Sequence, residues 1–268
     1  MYMTGGCIVL THMGLGDSLN MIGACRYLSK FYEQVILICS NNHIRNVRMF
    51  YDKSIDIIGT NTTDYNIECN YAPEIFSILS QFPEHDILKC FVGPNSFPSR
   101  LQVAKEETKN KCFIAQFYNQ LGLDFSVYSE YFYVPYTETA VDLYNMCKKY
   151  RVAFCHPRGS NANVQIDYKK YDEHDILVVN PSENIYNYDK DPQKYELASQ
   201  FVSKPIIDYL LILKNARYIE IIDSCFVALL FPLSLRKELK ATVKICHVRV
   251  SGRHYEQIDD AFIYYKCY

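Results

Sequence analysis

Short apolar runs alternate along this chain with stretches in which apolar residues recur every three or four positions. Cys7-Ile8-Val9-Leu10 is apolar throughout, as a strand buried on both faces must be. Met13-Gly14-Leu15-Gly16-Asp17 reads as a turn, and from Ser18 onward Met21, Ala24, Cys25, Leu28 and Tyr32 keep helical spacing. Val35 to Cys39 predicts a second buried strand, Ile44 to Tyr51 a helix, and Ile55 to Ile58 a third strand. Strands that alternate with helices in this way predict a parallel sheet covered on both faces.

The middle is less regular. Ile87 to Cys90 predicts a strand, Ser99 to Leu121 a helix stopped by Gly122, and Glu138 to Lys149 another helix. The alternation then restarts. Val152 to Cys155, Ile176 to Val179, Tyr218 to Ile222 and Ala241 to Val250 read as strands. A helix is expected from Pro205, with Ser203 as its cap, because Ser is a preferred N-cap and Pro suits a first turn. Two αβ halves predict two domains, residues 1–149 and 150–268, with a cleft between them.

Composition narrows the classes of function. Hydrophobic residues make up 49%, enough for two cores, and the formal net charge of -2 offers no basic excess for nucleic acid. Charges interrupt every apolar stretch well short of the ~20 residues of a membrane span. Met1 to Leu10 has no basic segment like that of a signal peptide. The 11 cysteines are scattered, and the closest pair, Cys147 and Cys155, fits neither CxxC nor zinc-ligand spacing. Free thiols in a reducing, cytoplasmic compartment are therefore expected.

Ligands of open α/β sheets bind at the carboxyl ends of the strands, where four loops carry candidate chemistry. In Gly14-Leu15-Gly16-Asp17 the glycines allow a tight turn, and Asp17 stands at a helix start, either as an N-cap or as a general base for a hydroxyl. In His156-Pro157-Arg158-Gly159-Ser160, Arg158 offers a planar fork suited to diphosphate oxygens and Ser160 a further donor; a solvated Pro-Gly turn explains the same residues. In Asp223-Ser224-Cys225-Phe226 the backbone N–H groups at a helix N-terminus suit an anion, and an Asp or Ser cap suits the same sequence. Asn180-Pro181-Ser182-Glu183-Asn184 offers amide groups to a base or ribose, or forms a turn.

Other patterns fail or lack context. The dinucleotide fingerprint needs a third glycine where Leu19 stands, and a phosphate-binding P-loop needs a lysine that the first loop lacks. Asp189-Lys190-Asp191 spells DxD within a polar stretch, where a solvated loop is expected. His247, Arg249 and His254 lack the spacing of helical metal ligands, and no GxSxG occurs. No metal site is expected.

The Gly14-to-Asp17 loop after a first strand, followed by an apolar helix, resembles the heptosyltransferase group of GT-B glycosyltransferases. Pro205 to Tyr209, through Asn215-Ala216, to Ile222-Asp223-Ser224-Cys225-Phe226 looks like the donor-side half of that group. His156-Pro157-Arg158 is similar to the His-x-Arg stretch of GT-B fucosyltransferases, whose Arg contacts the donor diphosphate. Related small proteins occur in bacteria and large DNA viruses, so a viral chain would work in host cytoplasm. The second-domain Lys of the heptosyltransferases has no assigned counterpart. The fucosyltransferase pattern continues Arg-Gly-Asp or Arg-Arg, whereas this chain has Arg158-Gly159-Ser160.

The resemblance implies an α/β GT-B fold of two Rossmann-like domains and an inverting, metal-independent transfer from a nucleotide-diphosphate sugar to a glycan hydroxyl. Asp17 is implied as base in an acceptor-side domain. The donor set is His156, Arg158, Ser160, Asn180, Ser182, Asp223, Ser224, Cys225 and Phe226. Two alternatives stand beside it: a Rossmann-type oxidoreductase, and a non-catalytic sugar- or nucleotide-binding protein.

Overall fold

The computed structural model of the protein describes residues 5–63, 72–90, 112–160, 162–248, 255–257 and 259–266. The chain divides into two compact units, Met1–Val134 and Pro135–Tyr268.

In the first unit, β1 (Gly6–Thr11), β2 (Gln34–Ser40), β3 (Ile55–Thr60) and β4 (Asp86–Cys90) form a parallel sheet in the order β3-β2-β1-β4. All six residues of β1 are buried, which is why its sequence shows no polar alternation. Ile8, Leu10, Ile36 and Ile38 form one apolar cluster with Ile75 and Ile78 of the helix Pro73–Ser80. Their neighbours Cys7, Val9, Val35 and Leu37 are equally buried.

The helix expected from Ser18 is two helices, Leu15–Asn20 and Ile22–Leu28, broken at Met21. A break strands carbonyls that an unbroken helix would satisfy. Here buried tyrosines add donors, beside the Met21 N–H that reaches the Ser18 carbonyl at 3.3 Å. Tyr51 donates to the Ser18 carbonyl at 2.6 Å and Tyr118 to the Asn20 carbonyl at 2.8 Å, while Tyr128 donates to the Asn20 side chain at 3.3 Å. Helix Ile22–Leu28 also sits very close to helix Val127–Glu130. A Cβ on Gly23 would lie 2.5 Å from the Val127 carbonyl oxygen and 2.9 Å from that of Tyr128. Of the helix expected over 99–121, Phe113–Gln120 is present; residues 99–111 lie outside the described residues.

In the second unit, β5 (Arg151–His156), β6 (Ile176–Val179), β7 (Tyr218–Ile222), β8 (Val243–Val248) and β9 (Ile263–Lys266) are all parallel, in the order β6-β5-β7-β8-β9. The division after Val134 puts helix Glu138–Cys147 in this unit, whereas the strand–helix alternation predicts a junction after residue 149. The restart of strand periodicity marks β5, not the boundary. Thr137 caps that helix by accepting from the Ala140 N–H, and its hydroxyl donates to Asp208 at 2.5 Å, tying the helix to the second unit.

Four further features differ from expectation. Ser203 has φ 58 and donates its N–H to the Pro181 carbonyl, so it closes a turn and does not cap a helix. The chain past Pro205 enters a 3-10 turn, Ile206–Tyr209, before helix Leu210–Asn215. Helix Pro192–Ser199 and strand β9 had no counterpart in the sequence reading; the ends of the last expected strand, 249 and 250, lie outside the described residues.

Because backbone oxygens face Gly23 and cannot swing aside as side chains do, Gly23→Ala is expected to destabilise the protein by about 1–3 kcal/mol, the cost of overpacking. A lowered urea midpoint at unchanged slope is the expected result, and an unchanged midpoint would refute the tight contact.

Candidate functional site

Strand order reverses between β1 and β4 in the first unit and between β5 and β7 in the second. Crevices outside the carboxyl ends at such reversals bind ligands in open α/β sheets.

In the second unit, two of the predicted loops meet at the reversal. His156 ends β5, and its Nδ1 lies 3.2 Å from the Oγ of Ser224, just past the end of β7. The Phe226 ring meets the imidazole at 4.7 Å and, 2% exposed, packs edge-on against Phe154 at 5.0 Å and Tyr209 at 5.8 Å. That aromatic wedge fixes the turn preceding helix Val227–Leu235. Val227 and Ala228 donate their N–H groups to the carbonyls of Ser224 and Cys225, beginning the helical ladder. The N–H groups of Ser224 and Phe226 meet no acceptor among the described residues, and Ser224 and Cys225 are partly exposed. Such an N-terminus attracts an anion.

Asp223 serves the loop from beneath. It is 4% exposed, its N–H donates to the His247 carbonyl, and its carboxylate accepts the Tyr255 hydroxyl at 2.9 Å.

Arg158 and Ser160 are exposed on a small hairpin after β5, closed by Gly159 donating to Ala162 and Val164 donating to Pro157. The Arg158 guanidinium pairs with Glu183 at 2.8 Å and so joins the second predicted loop to the fourth. A pair this exposed is worth only ~0–1 kcal/mol, so an incoming anion can displace it. Asn180 follows the turn reading of its loop. Its oxygen accepts the Ser182 N–H, its amide nitrogen donates to Tyr168, and it is 3% exposed, so its amide organises the loop.

Sequence reasoning missed the supports of this site. Glu220, 3% exposed in the middle of β7, accepts from Tyr171 at 2.8 Å, pairs with Lys170 and lies 3.0 Å from His247 Nε2. Burial works to raise its carboxyl, but bonds from His247, Lys170 and Tyr171 hold it below the ordinary range. Through the 3-10 turn Tyr168–Tyr171 this anchor also fixes Tyr168, the partner of Asn180. One signal was visible: a lone charge inside an otherwise apolar strand. Asp191 accepts the Lys194 N–H at 2.9 Å and caps helix Pro192–Ser199, while Asp189 and Lys190 lie exposed in the turn before it, as expected of a solvated loop. Among the described residues no group of three His, Cys, Asp or Glu side chains is placed to hold a metal.

In the first unit, Gly14 is the N-cap residue of helix Leu15–Asn20, Gly16 lies in its first turn, and Asp17 lies there too, so Asp17 is not the cap. Its carboxylate leans back over Gly14: a Cβ there would lie 2.4 Å from Asp17 Oδ2. Burial pushes the Cys90 thiol, at the end of β4, up to about 12, and the nearby Asp17 charge adds to the rise. Asp17 therefore stands beside the β1/β4 reversal.

No protein-family model and no curated protein matches the chain. The match lies in structure. The fold is similar to that of E. coli heptosyltransferase WaaC with ADP, at a TM-score of 0.52, 10% sequence identity, and coverage of 98% of this chain and 93% of that one. The chain thus has an α/β fold of the GT-B type, with two Rossmann-like parallel sheets. No helix among the described residues is long and apolar enough to cross a membrane, and the described cysteines are free thiols.

Burial, with the Arg158 charge adding to it, pushes His156 down to about 4. The unfolded chain takes up this proton near pH 6.5 and the folded protein does not. Stability from this group is therefore complete above pH 6.5 and lost as pH falls toward 4. His156→Gln is expected to lose less stability than the parent between pH 7 and 4.5, by on the order of 1–3 kcal/mol. Equal losses in urea titrations would refute the neutral imidazole.

Proposed function

We propose that the protein is an inverting glycosyltransferase that moves a sugar from a nucleotide-diphosphate donor to a glycan hydroxyl. The observation that carries this reading is the closure of the β5 and β7 loops around the His156–Ser224 contact, with backbone N–H groups left open beside it. That is a cradle for a diphosphate. Support also comes from the fold of a heptosyltransferase that holds ADP.

The bond between sugar and diphosphate breaks as the acceptor oxygen attacks the anomeric carbon from the opposite side. Negative charge builds on the departing diphosphate. The N–H groups of Ser224, Cys225 and Phe226 answer it, together with the Arg158 guanidinium once it leaves Glu183, with Ser160, Ser182 and His156 at the margin of the cradle. Fixed donors aimed at developing charge are the largest single source of rate in many enzymes, and in this reading no metal is required. Asn180 and Asp223 hold the cradle in shape. Asp17 takes the proton from the attacking hydroxyl, with Gly14 leaving room for its carboxylate.

Screening UDP-, GDP-, dTDP- and ADP-linked sugars by thermal shift identifies the donor, because a ligand bound only by the folded state raises its melting temperature. With that donor, Asp17→Asn is expected to keep binding yet to slow release of the nucleoside diphosphate at least ~100-fold. Full activity would remove Asp17 from the reaction. Arg158→Ala is expected to weaken nucleoside diphosphate binding by ~1.5–3 kcal/mol, the scale of a charge-assisted hydrogen bond, with little change in melting temperature because its ion pair is exposed. Unaltered calorimetric affinity would reject its role.

A further inference from the structure

His156 presents two ring nitrogens to two different surroundings. Nδ1 is held at 3.2 Å by the Ser224 hydroxyl, while Nε2 makes no hydrogen bond to any described residue. Phe226, edge-on at 4.7 Å, and the end of β5 leave the ring little freedom to turn. The open nitrogen belongs to the loop pair that carries the unpaired N–H groups of Ser224 and Phe226. Toward an anion that reaches it, Nε2 offers either a proton or a lone pair, and the two have opposite effects. A lone pair repels phosphate oxygens, whereas an N–H donates to them. The tautomer of a neutral imidazole follows from the bond its other nitrogen makes.

We propose that Ser224 is a positioning residue whose hydroxyl donates to His156 Nδ1, and that it thereby sets the imidazole as a neutral Nε2–H donor to the terminal phosphate of a nucleoside diphosphate. The inference rests on the glycosyltransferase reading and adds to it a donor that carries no charge. No proton is transferred: the Nε2–H bond stays intact while the sugar–oxygen bond breaks, and the hydrogen bond strengthens as charge gathers on the leaving oxygen. A neutral donor has a chemical advantage in this place. It stabilises the product anion less than a second guanidinium does, so it favours release of the nucleoside diphosphate after transfer.

Long-range proton–nitrogen NMR correlation of the histidine rings at pH 7 reads the tautomer directly, without nucleotide and with ADP, UDP, GDP or dTDP added. His156→Gln and His156→Asn assign the signals and divide the two functions. The Gln amide nitrogen can reach the place of Nε2, and the Asn amide nitrogen only that of Nδ1. The expected results are an Nε2–H tautomer in the nucleotide-bound protein and loss of that preference in Ser224→Ala. Calorimetry should show His156→Gln within about 3-fold of the parent affinity and His156→Asn weaker by 10-fold or more, the scale of one hydrogen bond to a charged group. A bound Nδ1–H tautomer overturns the proposal, as does equal affinity of the Asn variant and the parent. If the parent binds none of ADP, UDP, GDP and dTDP, the glycosyltransferase reading fails, and the proposal with it.

Discussion

A parallel sheet buried on both faces has almost nowhere to put a polar side chain except at the ends of its strands. Strands β1, β2, β5, β6 and β7 obey that constraint, and much of the chemical interest follows from it. Their interiors are buried and, but for Glu220, apolar, whereas β3, β4, β8 and β9 are partly exposed. Asp17, His156, Asn180 and Asp223 all lie at or just past strand ends on the carboxyl side. Glu220 is a buried carboxylate inside β7, and the bonds it accepts show what it takes to keep one there.

Buried hydroxyls perform a second task. Tyr51 and Tyr118 satisfy carbonyls at a helix break, Tyr171 and Tyr255 bond buried carboxylates, and Tyr168 holds Asn180. Each ring fills core volume while its tip reaches one polar atom, which a Phe at the same place leaves stranded. The chain has 24 tyrosines and no tryptophan, a marked compositional bias. The positions of these five give that bias a structural use.

The strands were legible because full burial leaves continuous apolar runs, and β1, β2, β3, β5, β6 and β7 lie where those runs are. What escaped was set by contacts distant in sequence. Helix Pro192–Ser199 has almost no apolar stripe, and only Asp191 and Pro192 announce it. Ser203 looked like a cap by residue type, yet its backbone is committed to the Pro181 carbonyl. In the candidate site, the identities of His156, Arg158 and Ser224 could be picked from loop positions. Their pairings could not, because the Arg158–Glu183 and His156–Ser224 contacts join segments tens of residues apart.

The lean of Asp17 over Gly14 has one more consequence. Glycine there leaves the space the carboxylate occupies, and its backbone is the ordinary extended one that any residue can adopt. The two positions are therefore bound by sterics in one direction only. The aspartate can shrink or vanish with the glycine untouched, but the glycine can grow only after the acid has moved away. Among descendants of this chain, a larger residue at position 14 would mark a loop whose carboxylate has already left its post.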